Sequence, residues 1–296
     1  MKRSFGEKIF NIVNIVMLTG FGIILMIPML YILKKSLDVG AVSSSITLWP
    51  DEFSLIYYEM VLKDKGIYGP FINTVLITVV GTSLALIVNS LAAYPMSRRD
   101  MPFGRFFVYY LVIVPMLFNG GLVPTFLVYK SLGMLSTLTV YILPALASGW
   151  NIVLIRNYYR SIPQSLVESA TIDGANDFQV YLKIILPLSK PVLAAIALFT
   201  GVGFWNMFTP AIMYNSDPTK YTFAVKLREM VVVQEEMQRQ FEAVLGSSAF
   251  AVNGMTLNNE GLSSAMMMVS IIPIILVYPF VQKHFASGIM VGAIKG

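Results

Sequence analysis

The sequence predicts an all-α polytopic membrane protein with six transmembrane helices. Only 12% of its residues are charged and 56% are hydrophobic, and its mean hydropathy is +0.70. A soluble domain carries about 25% charged residues. The charged residues also leave six long charge-free stretches, and each can hold the roughly 20 apolar residues that cross a hydrocarbon core. The chain is therefore expected to lie in a lipid bilayer.

The first apolar stretch raises the alternative of a cleaved signal peptide, because Lys2, Arg3 and Lys8 precede it. It is too long for a signal-peptide core, and Pro28 interrupts it without a cleavage pattern nearby. We therefore treat it as a span. The six expected spans cover residues 10–33, 71–94, 106–128, 137–155, 192–214 and 263–282, within one transmembrane domain (9–289) flanked by an N-terminus (1–8) and a tail (290–296).

The distribution of Lys and Arg predicts the orientation. With both termini inside, the inner segments hold twelve basic and five acidic residues, a net charge of +7. The outer segments then hold nine basic and eleven acidic residues, a net charge of −2. The segment 156–191 is therefore expected on the cytoplasmic side. No basic patch with interleaved aromatic residues appears, so nucleic acid is not an expected partner.

Two large loops are expected on the outer side. In the first, residues 34–70, Trp49-Pro50 and the pair Tyr57-Tyr58 favour either a packed cap over the spans or a platform for a binding protein. The second, residues 215–262, is expected to be partly helical with a tip rich in Gly, Ser and Asn. An external, mobile loop of this kind is where we expect contact with a soluble partner.

The segment 156–191 lies between two expected spans and predicts two short helices. Pro163 suits the first turn of a helix, because its missing N–H would be unpaired there anyway. This first helix is expected to stop at Gly174, which can adopt a left-handed conformation without a Cβ clash. Taken alone, the pattern fits a simple helix-turn-helix connector equally well.

The second helix is expected to start at Asn176, with Gln179 three residues later in the arrangement of a capping box. One face of it is apolar at helical spacing, through Phe178, Tyr181, Leu182 and Ile185. The pair Leu186-Pro187 is expected to end it, because proline disfavours the helical conformation of the residue before it.

The spacing of the anchor residues in this segment carries more information. Glu168-Ser169-Ala170 is followed after three residues by Gly174 and, after nine more, by Ile184-x-Leu186-Pro187. This arrangement resembles the EAA loop of ATP-binding-cassette (ABC) importer permeases, whose pattern is E-A-A, three residues, G, nine residues, I-x-L-P. Ser169 departs from the alanine of that pattern, but it is small enough for the same close helix contact.

The resemblance covers almost the whole chain. Six expected spans, an EAA loop between the fourth and fifth, a long external loop before the sixth and a short tail are similar to MalG-type permeases of carbohydrate importers. The resemblance implies the type I ABC importer permease fold, with the EAA loop as a cytoplasmic coupling helix, in the cytoplasmic membrane of a bacterium. It also implies a second homologous permease, two ATPase subunits that hold ATP and Mg, and an extracytoplasmic binding protein that delivers sugar.

The roles of individual residues follow from the resemblance by position. The residues that would lie in or beside the ATPase cleft are Glu168, Ser169, Ala170, Asp173, Gly174 and Ala175, and those that would fix the loop to the spans are Ile184, Leu186 and Pro187. Gly292, Lys295 and Gly296 in the tail would reach the ATPase dimer, although a frayed terminus is the alternative. The external tip around residues 246–254 would probe the binding protein.

A secondary transporter driven by ions is the alternative from a different class. Such proteins place ionisable residues inside the membrane, and the six expected spans contain none. Five asparagines could still coordinate an ion: Asn73, Asn89, Asn119, Asn151 and Asn206. An enzyme is not expected, because the chain has no cysteine, one histidine (His284) and no phosphate-binding glycine loop. We assign no catalytic residue, no metal ligand and no cofactor to this chain.

The solute is the least determined property. A sugar path needs aromatic faces beside hydrogen-bonding groups, and Trp150-Asn151 and Trp205-Asn206 fit that description. Trp near a helix end also marks the membrane interface, and a helical Asn also bonds neighbouring helices. Both interpretations stay open here. An importer of another solute, such as an amino acid, a polyamine or phosphate, is the alternative to a sugar importer.

Overall fold

The computed structural model describes residues 5–39, 49–98, 101, 104–118, 120–232, 250–252, 255–257 and 259–293. Their regular structure is helical apart from one small antiparallel hairpin, formed by β1 (Phe250–Val252) and β2 (Met255–Leu257). The expected all-α fold class is confirmed, and the hairpin is a minor addition to it.

Fifteen α-helices follow one another along the described residues, several of them short and separated only by a turn of another helix type. They are α1 (Phe5–Leu37), α2 (Ile56–Lys63), α3 (Lys65–Ser97), α4 (Gly104–Phe107), α5 (Val114–Leu117), α6 (Leu122–Ser131), α7 (Thr139–Ile142), α8 (Gly149–Ser161), α9 (Gln164–Ile172), α10 (Asp177–Val180), α11 (Leu186–Leu188), α12 (Lys190–Trp205), α13 (Thr209–Tyr214), α14 (223–232) and α15 (Asn259–Ala293). Val108–Ile113 and Tyr181–Ile185 are π-helical, and Leu143–Ala145 and Pro218–Lys220 form 3₁₀ turns.

By length and composition, three helices among the described residues can each cross a membrane. They are Ile9–Leu37 of α1, the whole of α3 and Glu260–Pro279 of α15. Two bent pairs also reach the necessary length: Thr139–Ala145 with Gly149–Ser161, bent by 43°, and Asp177–Leu188 with Lys190–Trp205, bent by 76°. The described residues therefore supply up to five spans.

The third expected span, 106–128, accounts for the difference from six. α5 ends at Leu117 and α6 begins only at Leu122, so this stretch is not one continuous helix. Gly121 has a φ of +82°, which an L-residue with a Cβ rarely adopts. Pro124 follows in the first turn of α6, where its missing N–H needs no helical partner.

The chain forms two compact units, Met1–Ile67 with Leu227–Ile272 and Tyr68–Lys226 with Pro273–Gly296. In the first unit, Tyr57 is 1% exposed and packs where Gly261 has no side chain, since a Cβ at that glycine would overlap the Tyr57 ring. Asp38 pairs with Phe53 in an antiparallel bridge. The packed-cap interpretation of Tyr57 is thus confirmed, whereas Trp49 is 82% exposed.

Two hydrophobic clusters form the interior of the second unit. The first joins α3, α8, the stretch 177–188 and α12 through Ala93, Val112, Ile152, Ile155, Tyr159, Val180, Tyr181, Ile185 and Ile196. The second joins α3, α7, the end of α12, α13 and α14. Its buried residues are Ile77, Ala85, Met134, Val140, Tyr141, Phe204, Ala211 and Val225. α3 contributes to both clusters and therefore runs the length of this unit's core.

Candidate functional site

The EAA segment, residues 156–191, contains two helical arms that differ in burial. We call α9 the first arm and the run Asp177–Leu188 the second arm. Pro163 occupies the N-cap position of the first arm, one residue before its expected place. The first arm has no buried residue, and Ile172 at its end is 85% exposed. It is a surface helix that carries an apolar side chain into its surroundings.

Gly174 ends the first arm, as expected. The amide of Ala175 donates to the carbonyl of Ala170 at 2.9 Å, and the amide of Gly174 donates to that of Thr171 at 3.0 Å. This pair of bonds is the Schellman motif, and Gly174 has the positive φ, +84°, that the motif requires. A Cβ at Gly174 would meet no atom within 4 Å, so only the backbone conformation demands glycine within this chain.

The expected capping box at the start of the second arm is confirmed. The backbone amide of Gln179 donates to Asn176 Oδ1 at 2.8 Å, and the backbone amide of Asn176 donates to Gln179 Oε1 at 3.0 Å. Each side chain therefore satisfies a backbone N–H that has no helical partner.

The expected end of the second arm at Leu186-Pro187 is wrong, because the helix continues to Leu188. The π-helical turn Tyr181–Ile185 precedes the proline, and the Leu186 amide donates to the carbonyl of Tyr181, five residues back. A wider turn relieves the clash that a proline makes with a regular α-helix. The chain bends instead at Ser189, which is fully buried and donates its hydroxyl to the Ile185 carbonyl at 2.7 Å.

The structure divides the motif residues into an exposed set and a packed set. Glu168, Ser169, Asp173, Gly174 and Pro187 are exposed. The small or apolar members pack against the first hydrophobic cluster: Ala170, Ala175, Ile184 and Leu186. Packing of the second set fixes the position of the first set on the surface.

Four polar contacts between the EAA segment and residues 90–98, at the end of α3 and just beyond it, were missed by sequence reasoning. Ser90 Oγ lies 2.6 Å from the Tyr159 hydroxyl and 2.7 Å from the Tyr181 hydroxyl. The Arg156 side chain donates Nε–H to the Met96 carbonyl at 2.8 Å, and Arg98 pairs with Asp177 at 2.7 Å. The sequence feature that could have indicated these contacts was Ser90, a serine inside an apolar span, because a hydroxyl there needs a hydrogen-bond partner.

Two of the asparagines considered as ion ligands, Asn73 and Asn89, bond backbone groups of other segments. Asn89 is fully buried, donates to the carbonyls of Ala85 and Leu146, and accepts the amide of Ser148 at 2.9 Å. Asn73 donates to the Thr219 carbonyl at 2.8 Å. In the part of the chain that the structure describes, no group of three or more His, Cys, Asp or Glu residues could hold a metal.

The residues considered for a sugar path have separate environments. Trp205 is 8% exposed and lies edge-on to Phe71, with ring centroids 5.9 Å apart. Asn151 donates from Nδ2 to Thr200 Oγ1 at 3.2 Å, and Asn206 is the C-cap of α12. Trp150 is 63% exposed. Of these two tryptophans, Trp150 alone presents its ring to the surroundings.

Some other expected site residues lie outside the part of the chain that the structure describes. Gly292 belongs to α15, whereas Lys295 and Gly296 lie outside the described residues. Asn119 and most of the external tip 246–254 also lie outside them.

Long apolar helices, together with the exposed first arm beside a second arm whose Val180, Tyr181 and Ile185 are buried, define a polytopic membrane protein with a short amphipathic connector. The chain belongs to the family described as binding-protein-dependent transport system inner membrane components, whose model matches residues 1–291. As a member of this family it is a transport subunit and not an enzyme. ATP hydrolysis in such importers belongs to separate subunits.

Relatives and solved structures are similar over nearly the full length. A polygalacturonan/rhamnogalacturonan transport system permease of Bacillus subtilis is 38% identical over 98% of this chain and 99% of the relative. A diacetylchitobiose uptake permease of Streptomyces coelicolor is 27% identical over 98% of this chain and 90% of the relative. A chain of a bacterial ABC transporter for the acidic polysaccharide alginate superposes with a TM-score of 0.81, at 33% identity over 96% of this chain and 99% of that one.

Proposed function

We propose that this chain is the membrane-spanning permease subunit of an ATP-driven importer for acidic oligosaccharides. An extracytoplasmic binding protein delivers the sugar, and the EAA segment connects the permease to the ATPase subunits. The observation that carries the docking role is the exposed first arm, which ends in the Schellman motif at Gly174 and lies beside the second arm, whose Val180, Tyr181 and Ile185 are buried.

The proposed assembly contains a second homologous permease and two ATPase subunits that hold ATP and Mg. We place it in the cytoplasmic membrane of a bacterium, with both termini and the EAA segment in the cytoplasm, on the basis of the Lys and Arg distribution. The third expected span, 106–128, completes the six spans of this topology. The chain crosses the membrane there as an interrupted helix. Loop 215–262 faces the binding protein, and the tail 290–296 reaches the ATPases.

The mechanism is coupling by rigid docking. ATP binding closes the ATPase dimer, each first arm moves with its ATPase, and the bundle changes between inward-open and outward-open states. ATP and loaded binding protein both stabilise the outward-open state, so each increases the affinity for the other. Exposed Ile172 supplies apolar contact area to the ATPase cleft, and Glu168 and Asp173 supply charge at its rim.

The names of two similar proteins support an acidic sugar. One is a permease for polygalacturonan and rhamnogalacturonan, and the other belongs to a transporter of alginate. Galacturonan and alginate are both polymers of uronic acids. The diacetylchitobiose permease, at lower identity, makes a neutral oligosaccharide the alternative.

The test is ATPase activity and uptake by the complex in proteoliposomes, with binding protein loaded with an oligogalacturonide, an alginate oligosaccharide or a neutral glucan of equal length. We expect stimulation by an acidic sugar and less than a tenth of it by the glucan. Stimulation by the glucan alone contradicts the acidic substrate. Stimulation by an amino acid, a polyamine or phosphate alone contradicts a sugar importer altogether.

The docking role is tested by Gly174→Trp with Gly133→Trp as the matched control. Both glycines have positive φ, +84° and +66°, and a Cβ at either meets no atom within 4 Å, so both variants carry the same backbone strain of about 1–2 kcal/mol. Gly133 lies between α6 and α7. We expect uptake and stimulated ATPase activity to fall more than tenfold only in Gly174→Trp. Equal activity of the two variants contradicts docking at Gly174.

A further inference from the structure

The second arm joins two transmembrane helices by different kinds of connection. Along the chain it leads into α12, but the bend of 76° at Ser189 separates the two helical axes. Across space it lies against the C-terminal part of α3, about 90 residues earlier in the sequence, where Ser90 and Tyr181 are in hydrogen-bond contact. If the connection along the chain dominates, α12 moves with the arm. If the contact across space dominates, α3 moves with it.

The contact with α3 is centred on three buried hydroxyl groups. Ser90, Tyr159 and Tyr181 are 2%, 4% and 4% exposed, and Ser90 Oγ lies between the two tyrosine oxygens at 2.6 and 2.7 Å. A hydroxyl can donate one hydrogen bond and accept others, so Ser90 satisfies both tyrosines at once. A buried polar group that loses its partner is unfavourable, and this resists separation of the three helices.

Other contacts extend this connection toward the end of α3. Arg156 of α8 donates to the Met96 carbonyl, one of the last in α3, at 2.8 Å. Arg98 pairs with Asp177 at the start of the second arm at 2.7 Å, an exposed contact that adds little by itself. Ala93 is fully buried in the same cluster as Tyr159 and Tyr181.

We propose that Ser90, Tyr159 and Tyr181 are positioning residues that make the second arm, α8 and the C-terminal part of α3 one rigid body. Force applied to the first arm then reaches the membrane directly through α3, in addition to the connection along the chain into α12. This inference rests on the proposed function, because it assumes that the first arm is driven by an ATPase.

A conformational measurement tests the rigid body without any transported solute. The chain has no cysteine, so two introduced cysteines in this subunit can be spin-labelled without removing others. One pair joins exposed Leu91 of α3 to exposed Lys183 of the second arm, and the other joins Lys183 to Phe199 of α12. In the purified full-length chain we expect Ser90→Ala to broaden the Leu91–Lys183 distance distribution at least twofold, with the Ser161→Ala control unchanged.

Ser161→Ala is a matched control because its hydroxyl, on the same helix as Tyr159, donates within that helix to the Tyr158 carbonyl at 2.7 Å. A Leu91–Lys183 distribution that Ser90→Ala leaves as narrow as before overturns the proposal. In the complex, vanadate trapping should leave the Leu91–Lys183 distance unchanged, whatever happens to the Lys183–Phe199 distance across the bend at Ser189. A shift of the Leu91–Lys183 distance on trapping also overturns the proposal.

The functional readout is the number of sugar molecules imported per ATP hydrolysed. We expect Tyr181→Phe and Ser90→Ala to lower this ratio at least fivefold, with ATPase activity in the absence of binding protein within twofold of the wild type. A merely structural role would lower both activities in proportion and leave the ratio unchanged. If the wild-type complex itself shows no stimulation by any solute, the proposed function fails, while the distance measurement on the chain alone still decides the rigid body.

Discussion

The two arms of the EAA segment are neighbours in sequence but opposite in environment. The first arm buries none of its residues, whereas Val180, Tyr181 and Ile185 of the second arm are each less than 5% exposed. Between them lie only the glycine of the Schellman motif and the capping box of Asn176. The first arm therefore contributes surface and the second contributes attachment.

This difference shows how a short helix can be both exposed and well placed. A nine-residue helix is marginal by itself in water. Ala170 and Ala175, on either side of Gly174, pack against the cluster that the second arm fills and so attach the first arm at its end. The position of the exposed first arm is therefore set by partly buried residues at its end and by the cluster that the second arm fills.

The largest expected effect is a difference in how much a side chain of each arm contributes to the stability of the subunit. Ile185→Ala removes a side chain that is 3% exposed and should destabilise the subunit by about 2–4 kcal/mol, whereas Ile172→Ala, at 85% exposure, should change its stability by less than about 0.5 kcal/mol. The measurement is thermal unfolding of the purified full-length chain. Equal shifts for the two variants would show that the first arm packs as tightly as the second.

The second expected effect concerns ATPase binding, to which the first arm should contribute more than the second. Ile172→Ala removes apolar area from the exposed arm and should weaken co-purification of the ATPase about tenfold, equivalent to about 1.4 kcal/mol. Leu188→Ala, 45% exposed at the end of the second arm, is the control and should bind normally. Normal ATPase binding by Ile172→Ala would move the docking surface elsewhere.

A smaller effect concerns the junction between the arms. Asn176→Ala removes the side-chain oxygen that accepts from the Gln179 backbone amide and should destabilise the start of the second arm by about 1 kcal/mol, whereas Asn176→Asp keeps an acceptor for that amide. Hydrogen exchange of that amide should be about fivefold faster in the alanine variant only. Unchanged exchange would mean that packing, and not capping, begins the second arm.

The smallest effect lies in an exposed turn outside both arms. The hydroxyl and amide of Thr219, followed by Lys220, lower the pKa of Asp217 below its ordinary value. Because the folded pKa is lowered, its contribution to stability is present above the unfolded pKa of about 3.9 and is lost as the pH falls through the folded value.

Protection of the Thr219 amide, corrected for intrinsic exchange, should therefore fall below about pH 4 in the wild type. Asp217→Asn should remove this dependence on pH, and exchange in both arms should stay the same in the two proteins. A pH response of equal size in Asp217→Asn would assign the titration to another group.

Local features of the EAA segment could be predicted because they depend on short-range geometry. Gly174 and Asn176 act on backbone groups within a few residues, and their side-chain chemistry is sufficient to predict a helix stop and a helix start. The end of the second arm could not be predicted in the same way. A proline ordinarily ends or kinks a helix, but here the π-helical turn before Pro187 lets the helix continue to Leu188.

Contacts over long sequence separations were not predictable from this one sequence. Ser90, Tyr159 and Tyr181 are unremarkable residues at positions that no local pattern relates. The neighbours that Trp205 and Asn151 meet, Phe71 and Thr200, were likewise not predictable from residue type. Residue type indicates what a side chain can do, and only packing decides which neighbour it meets.

The sequence by itself determined the membrane location, the helical class and the caps at Gly174 and Asn176, because hydropathy and capping act over less than about 25 residues. The family followed from the resemblance carried by the spacing of its motif residues. The tertiary structure alone decided where the helices bend, which part of the EAA segment is buried and that α3 is attached to it. Those features depend on the mutual fit of distant helices in a close-packed interior, for which one-dimensional spacing carries no information.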